Sequence, residues 1–431
     1  MVAGLGVSGL GCAAELARHQ VPFVALEKED RAGGLARTDE SDGFFFDRGP
    51  HILLGIPSEL DEFFRNLDGL DLAVCSGRSG VAMDAQLKCV VPAPFQRNLS
   101  YLPMAHRARV LVSLLTDRFR GPKPLNNYEE YATAQCGRGV YDLFVRGYDS
   151  KRLRFPLDQM PANWTSRLER TSISSLLKSQ EATNGRANGR ESRFLYPRAG
   201  GIEVLPKAMA RLLPETSVCY GAEVVEIRPK ARRVVLANGE QLPYGHLVLS
   251  LPLPETVARI QNPPPAIRRA AANLIYTSIY VINCGIEGAV PPWTLLRVPH
   301  AEVGFYRLSF PSQYAKGGAP SGLSTVVGEV SHHPMRYPVS SGEASRLFRL
   351  GMERLGILGC GQRIVFESIR NIPYGHIVYN SATQASIQTI LEYLSEHAIT
   401  PCGKYGLWRD MLIPQSILSG MHAAQSVMAR S

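Results

Sequence analysis

Met1-Val2-Ala3-Gly4-Leu5-Gly6-Val7-Ser8-Gly9 opens the chain, and the reading of this stretch decides the fold. A stub of apolar strand runs into glycines spaced G-x-G-x-x-G, and Ala13, Ala14, Leu16 and Ala17 continue as a helix. Val21-Pro22-Phe23-Val24-Ala25-Leu26 reads as a second strand, closed by Glu27. Strand, tight turn, helix and strand at this length make one βαβ unit. The glycines let the turn close and the backbone approach a pyrophosphate, and the helix start offers unpaired N–H groups and a positive dipole end. An acid 18 residues beyond Gly9 stands where the adenosine ribose hydroxyls of a dinucleotide would be held. The glycine pattern alone is weak, since turns that bind nothing share it; the flanking elements and Glu27 make it specific. The predicted cofactor contacts of this segment are Gly4, Gly6, Val7, Ser8, Gly9, Glu27 and Lys28.

The next question is which dinucleotide. Arg31-Ala32-Gly33-Gly34-Leu35-Ala36-Arg37-Thr38 places a second glycine pair, bracketed by arginines, directly after the acid. A plain NAD fold has no use for it; a longer ligand that continues past the first turn does. Backbone at Gly33, Gly34 and Leu35 would pack on the diphosphate while Arg37 meets its charge. Phe46-Asp47-Arg48-Gly49-Pro50-His51 then sets a rigid turn and a histidine where an isoalloxazine would extend, so Gly49, Pro50 and His51 join the predicted FAD contacts. A lone histidine is more often a satisfied core residue, and only its neighbours lift His51 above that.

Length and composition bound the rest. At 431 residues the chain suggests two or three domains, and a hydrophobic fraction of 45% with 20% charged residues is that of a globular protein. The net charge of +9 reads first as a basic surface, and second as attraction for a phosphorylated or carboxylated ligand. No basic run carries interleaved aromatics, which argues against nucleic acid. The eight cysteines form no C-x-x-C pair and stand beside no zinc-spaced histidine, so the expectation is reduced thiols in a cytoplasmic protein with no metal. No apolar run approaches the roughly 20 residues of a membrane span. The segment from His106 to Arg120 is preferred as a core-facing helix with a solvated basic edge; the alternative is a basic helix in peripheral contact with a membrane.

Along the chain, residues 56–178 read as mainly helical, 180–192 as a flexible polar loop, and 275–330 as mainly strands. Single strands are expected at Val218–Ile227 and Ala301–Phe310, and Asn238-Gly239 marks a hairpin.

The R-x-G-G-x-x-x-T segment after a G-x-G-x-x-G and a strand-end Glu resembles the FAD-dependent amine oxidase superfamily, and more narrowly its protoporphyrinogen-oxidase-like and UDP-galactopyranose-mutase-like branches. The similarity continues at Asn127-Tyr128-Glu129-Glu130-Tyr131, at Asn163-Trp164 with Arg167, at Tyr196–Gly201, at Phe305-Tyr306-Arg307, at Pro373-Tyr374, and at Gly403-Lys404-Tyr405-Gly406-Leu407-Trp408-Arg409. The resemblance implies an α/β fold: a Rossmann-like FAD-binding domain of the GR2 type, from 1–55, 193–255 and 396–431, with an α+β substrate domain from 56–192 and 256–395. It implies that the backbone at Val224 meets the adenine and that Gly406, Trp408, Ile413 and Gln415 face the flavin end. It matches His51 to a histidine beside the flavin and Tyr374 to a tyrosine that contacts a substrate diphosphate. Arg307, a charge in an apolar strand, completes the candidate catalytic set of His51, Arg307 and Tyr374, with Trp164, Arg167 and Tyr379 behind them.

Three departures stand out. Only Met1-Val2-Ala3 precede the turn, Leu412-Ile413-Pro414 stands where relatives carry Asn-Met-Asp, and Gly375 replaces a proline. The leading expectation is an FAD-dependent oxidoreductase acting on a small organic substrate through the flavin N5. The alternative is a non-redox nucleotide-sugar isomerase, and a third reading is a non-catalytic flavin-fold binding protein.

Overall fold

The computed structural model describes residues 1–84, 86–119, 125–162, 164–165, 168–177, 192–359 and 362–430. Five short parallel strands form the first sheet, in the order Ile399–Pro401, Leu247–Leu249, Val2–Ala3, Ala25–Leu26, Val218–Cys219. Val2–Ala3 is central: Val2 pairs with Val248 on one side and Ala25 on the other. The two-residue strand thus gains from both neighbours what it lacks in length, and Val2 and Ala3 are buried.

The helices Val7–Arg18 and Ile413–Met428 pack together over this sheet, joining the start of the chain to its end. Glycine sets their spacing. A Cβ on Gly11 would lie 2.5 Å from the Ile417 carbonyl oxygen, and one on Gly420 would lie 1.9 Å from that of Ser8. The helices therefore touch backbone to backbone.

A second sheet is a three-stranded antiparallel meander of Val224–Arg228, Arg233–Leu236 and Gln241–Pro243, turning at Asn238-Gly239 as expected. The strand anticipated over Val218–Ile227 is two strands in different sheets, because Gly221 takes φ +69° and breaks the run. A third sheet has seven strands, ordered Ile364–Val378, Ile275–Glu287, Leu323–His332, Arg307–Ser309, Leu295–Arg297, Ser79–Ala82, Val90–Pro92. The strand expected over Ala301–Phe310 shrinks to its last residues.

The 56–178 region needs a larger correction. It holds helices at Met104–Phe119, Tyr128–Cys136 and Arg146–Leu153, but also strands at Leu72–Gly77, Ser79–Ala82 and Val90–Pro92. Leu72–Gly77 pairs with Ser192–Pro197 and Ser79–Ala82 with Leu295–Arg297, partners far away in sequence that no local periodicity could reveal. The 180–192 loop lies outside the described residues except for Ser192. In Met104–Phe119, Val110 is fully buried as the core-facing reading expects, while Met104 and Val112 remain exposed. Among the described residues no helix is long and apolar enough to cross a membrane.

Candidate active site

Two of the three glycines in the turn are required by its backbone geometry, and the third faces open space. Gly4 takes φ +87°, and a Cβ on Gly9 would lie 1.9 Å from the Gly4 carbonyl oxygen, so both positions require glycine to close the turn. A Cβ on Gly6 would meet nothing within 4 Å: Gly6 faces open space. Helix Val7–Arg18 starts from Gly6 with no side-chain cap, leaving its first N–H groups to an anion. The second glycine pair lies against this turn, with the Gly33 N–H donating to the Leu5 carbonyl (2.8 Å) and Gly34 next to Gly6.

Arg37 carries the electrostatics. It is 1% exposed, and its Nη2 donates to Asp30 (3.0 Å), but Nε and Nη1 have no hydrogen-bond partner. Idle donors on a buried cation are costly unless something anionic meets them. Glu27 is buried and accepts from the Leu5 N–H (2.6 Å) and the Glu29 N–H (3.1 Å), which ties the end of the second strand to the turn. Lys28 is exposed beyond it. Val224 is buried, and its carbonyl accepts from Arg259 (2.9 Å), so that oxygen is already engaged.

Thr38 explains the end of the R-x-G-G-x-x-x-T segment. Its hydroxyl donates to Asp47 (2.7 Å) and accepts from the Glu203 N–H (3.2 Å), while Asp47 also accepts from the Tyr196 hydroxyl (2.8 Å) and the Ile202 N–H (3.0 Å). This buried knot pins the 196–203 segment to the cofactor corner. Burial pushes the Asp47 carboxyl up to about 6 despite these bonds.

His51 follows at the end of the Gly49-Pro50 turn, where Gly49 takes φ +130°. Its Nε2 is sealed from solvent without a partner, and the ring lies near the backbone of Leu35 and Arg48. Burial, reinforced by Lys404 and Arg307, lowers His51 to about 4. Asp47 and His51 therefore titrate in opposite senses. The Asp47 contribution to stability is full below about pH 4 and is lost as the pH rises toward 6; that of His51 is full above about pH 6.5 and is lost as the pH falls toward 4. Each amounts to about 3 kcal/mol, and together they nearly cancel. Relative to wild type, apo Asp47→Asn should gain stability as the pH is raised from 4 to 6.5, and apo His51→Gln should lose it. Urea unfolding across this range checks the pair; three parallel curves would refute the assignment.

The chain end closes the corner. A Cβ on Gly403 would lie 2.0 Å from the Ser8 hydroxyl oxygen, and one on Gly406 would lie 3.1 Å from the Leu249 carbonyl oxygen. The tail thus rests directly on the N-terminal turn and its sheet. Trp408 is fully buried at φ +51°, with Nε1 unpartnered and its carbonyl accepting from Tyr379 (2.8 Å). Helix Ile413–Met428 begins as expected, with Pro414 in its first turn and the Gln415 side chain accepting from the Leu412 N–H (3.0 Å). Gln415 serves here as a cap.

Beside this corner lies a cluster of polar and charged side chains. Lys404 and Arg307 are the charged neighbours of both His51 and His376, and Arg152 also acts on His376. Arg307 finds the partner its strand position demanded in buried Glu329, directly opposite in register, with a two-pronged ion pair (Nη2 to Oε1, 2.7 Å). Arg152 pairs with Asp149 (2.9 Å), and Lys404 with Asp410 (3.2 Å). Tyr374 is drawn elsewhere: its ring packs on Tyr276 (4.5 Å) and Trp408 (6.0 Å), and no contact among the described residues joins it to His51 or Arg307. Arg307 thus stands near enough for its charge to act on His51, while Tyr374 sits in an aromatic cluster. Trp164 stands edge-on to Tyr128 with Arg152 over its ring, while Asn163 and Arg167 lie outside the described residues. Arg152, His376 and the role of Lys404 were missed in the sequence. His376 follows Tyr374 by two positions, but the register with Thr277–Ile279 slips there, so alternation does not assign its face.

The family model described as flavin containing amine oxidoreductase matches residues 7–428. The chain belongs to that family. Its cofactor is FAD, and the cradle fits: open backbone at Gly6, uncapped helix N–H groups and the idle donors of Arg37 all suit a diphosphate. Among solved structures, a reduced UDP-galactopyranose mutase matches all of this chain and 95% of its own, at 25% identity and TM-score 0.91. A protoporphyrinogen-oxidase-like protein from Exiguobacterium matches with TM-score 0.74 at 17% identity, over all of this chain and 98% of its own, which speaks to the fold. A zeta-carotene-forming phytoene desaturase of Myxococcus xanthus is 27% identical over 68% of this chain, which spans only 60% of that relative.

Proposed function

We propose that this flavoprotein is a nucleotide-sugar isomerase of the UDP-galactopyranose mutase kind, working in a reducing, cytoplasmic setting. The observation that carries it is a polar cluster beside the cofactor corner. His51, His376, Tyr306, Arg152, Arg307 and Lys404 gather there, each cation with a carboxylate partner: Arg152 with Asp149, Arg307 with Glu329 and Lys404 with Asp410. Such a cluster can offer guanidinium and ammonium donors to an anionic nucleotide diphosphate and is hostile to a hydrocarbon. The mutase likeness across the whole chain supports the same reading.

When bound, FAD supplies the reactive ring nitrogen. The chain's own residues would do the rest. Gly6, the first turn of Val7–Arg18 and Arg37 would hold the diphosphate of the cofactor. His51, kept neutral at the end of a rigid turn, would stand beside the ring as a hydrogen-bonding group without adding charge. Lys404 and Arg307, the latter fixed by Glu329, would orient the anionic substrate.

The second reading, flavin-dependent desaturation or oxidation, is favoured by the likeness to the Myxococcus desaturase. One experiment separates the two. Dithionite-reduced, FAD-loaded protein is incubated anaerobically with UDP-galactose, and the products are resolved by chromatography. Interconversion of ring forms with no net change in flavin oxidation state is expected. Inert UDP-galactose, together with anaerobic bleaching of the oxidised flavin by an amine or polyene, would transfer the assignment to the oxidoreductase reading.

A further inference from the structure

We propose that the outer face of helix Met104–Phe119 docks on an anionic phospholipid surface, with its apolar stripe in the interface and a headgroup phosphate seated in the cavity at the helix start. The docking does not depend on which reaction the flavin site performs.

One side of this helix serves the core. Val110 is fully buried, and the helix's single acid, Asp117, accepts from the Arg138 N–H (3.0 Å) and the Ser113 hydroxyl (3.3 Å). The other side is apolar and uncovered. Met104 is 72% exposed, Val112 60% and Leu115 43%, and Ala105 and Ala108 are exposed beside them. By helical geometry these five fall within about 100° of the circumference and extend about 16 Å along the axis. An apolar arc of that width is what a helix ordinarily turns toward a core. Here it is turned outward.

Charge identifies what covers it. Arg107 and Arg109 flank the arc, one on each side, and Lys88 stands at the helix start. Among the described residues none of these three side chains has a carboxylate partner. The nearby Asp84 carboxylate is spent on the backbone N–H groups of Gln86, Lys88 and Cys89. A cavity of about 490 Å³ opens at the helix start, with Lys88, Met104 and Arg107 in its wall. The Arg107 guanidinium is anchored there by the Leu176 carbonyl and the Met104 sulfur (3.5 Å). A second copy of the chain seated on this face by a two-fold axis would bring like charges together, and the net charge of +9 adds to the repulsion. An anionic bilayer complements both halves: acyl chains for Met104, Val112 and Leu115, and headgroup phosphates for the cations. Met104 belongs to the arc and to the cavity, so one seating fills both.

The test is cosedimentation of FAD-loaded protein with phosphatidylcholine vesicles, either pure or with one third phosphatidylglycerol. Wild type should bind the mixed vesicles at least about tenfold better than the neutral ones. The double variants Val112→Glu/Leu115→Glu and Lys88→Gln/Arg109→Gln should each lose at least about tenfold in binding to the mixed vesicles. Flavin occupancy and melting temperature should stay at wild-type values, because all four side chains are exposed. Equal binding of wild type to both vesicle types, or wild-type binding by either variant, overturns the proposal. So does a wild-type dimer in sedimentation velocity that Val112→Glu/Leu115→Glu converts to monomer, which would give this face to a second copy.

Discussion

Gly420→Ala is expected to strip the protein of most of its flavin and to lower its melting temperature by several degrees. The added Cβ would sit 1.9 Å from the Ser8 carbonyl oxygen and 2.9 Å from the Cys12 nitrogen. Both are backbone atoms of the facing helix, so no rotamer change can relieve the clash, and Val7–Arg18 and Ile413–Met428 must separate. Overpacking of this kind costs about 3 kcal/mol. The damage also reaches the cofactor corner, because Ser8 is in the first turn of the helix whose free N–H groups would face the diphosphate and is itself packed on Gly403. Flavin retained per chain after gel filtration, together with a thermal melt, checks this. Full occupancy at an unchanged melting temperature would mean that the helix contact is not what holds the two ends of the site together.

Arg37→Met should weaken FAD binding by at least about a hundredfold while leaving the apo protein as stable as wild type or more so. The two halves of this prediction share one cause. A guanidinium that is 1% exposed, with no hydrogen bond at Nε or Nη1 and Glu29 no nearer to Nη1 than 3.6 Å, is a liability in the absence of a closer anion, and a buried charge replaced by an apolar side chain of similar length is commonly neutral or stabilising. Its remaining partners, Asp30 and Glu29, lie near the surface and can be solvated when it is gone. With the diphosphate present, two charge-assisted hydrogen bonds at roughly 1.5–3 kcal/mol each would be lost. Titration of apo protein with FAD, followed by fluorescence, reads the affinity, and a melt without FAD reads the stability. Wild-type affinity in the variant would place the diphosphate elsewhere. A large fall in apo stability would make Arg37 a structural residue.

The cofactor corner was legible because its requirements are local. Gly4, Gly6 and Gly9 are fixed by the geometry of one turn, Glu27 by the strand that follows, and Gly33, Gly34 and Arg37 by a short segment directly after it. The tail at Gly403–Gln415 was legible only through resemblance to known flavoproteins, since nothing in its own spacing points back across the chain to Ser8. Arg307 was suspected because a charge in an apolar strand needs a partner, and Glu329 is that partner, 22 residues on. Tyr374 was placed by likeness, yet Tyr276 and Trp408 enclose its ring. The strands at Leu72–Gly77 and Ser79–Ala82 escaped because a strand is stabilised by the neighbour it pairs with, and theirs are more than a hundred residues away.

By itself, then, the sequence determined a dinucleotide cradle and the sign of the charge it would need, because backbone conformation at a glycine turn depends on adjacent residues. The tertiary structure alone decided which groups meet beside it: Arg307 with Glu329, and Tyr306 with His376. The physical reason is that these meetings depend on sheet register and on two helices closing through Gly11 and Gly420, where a slip of one residue would turn each side chain to the opposite face.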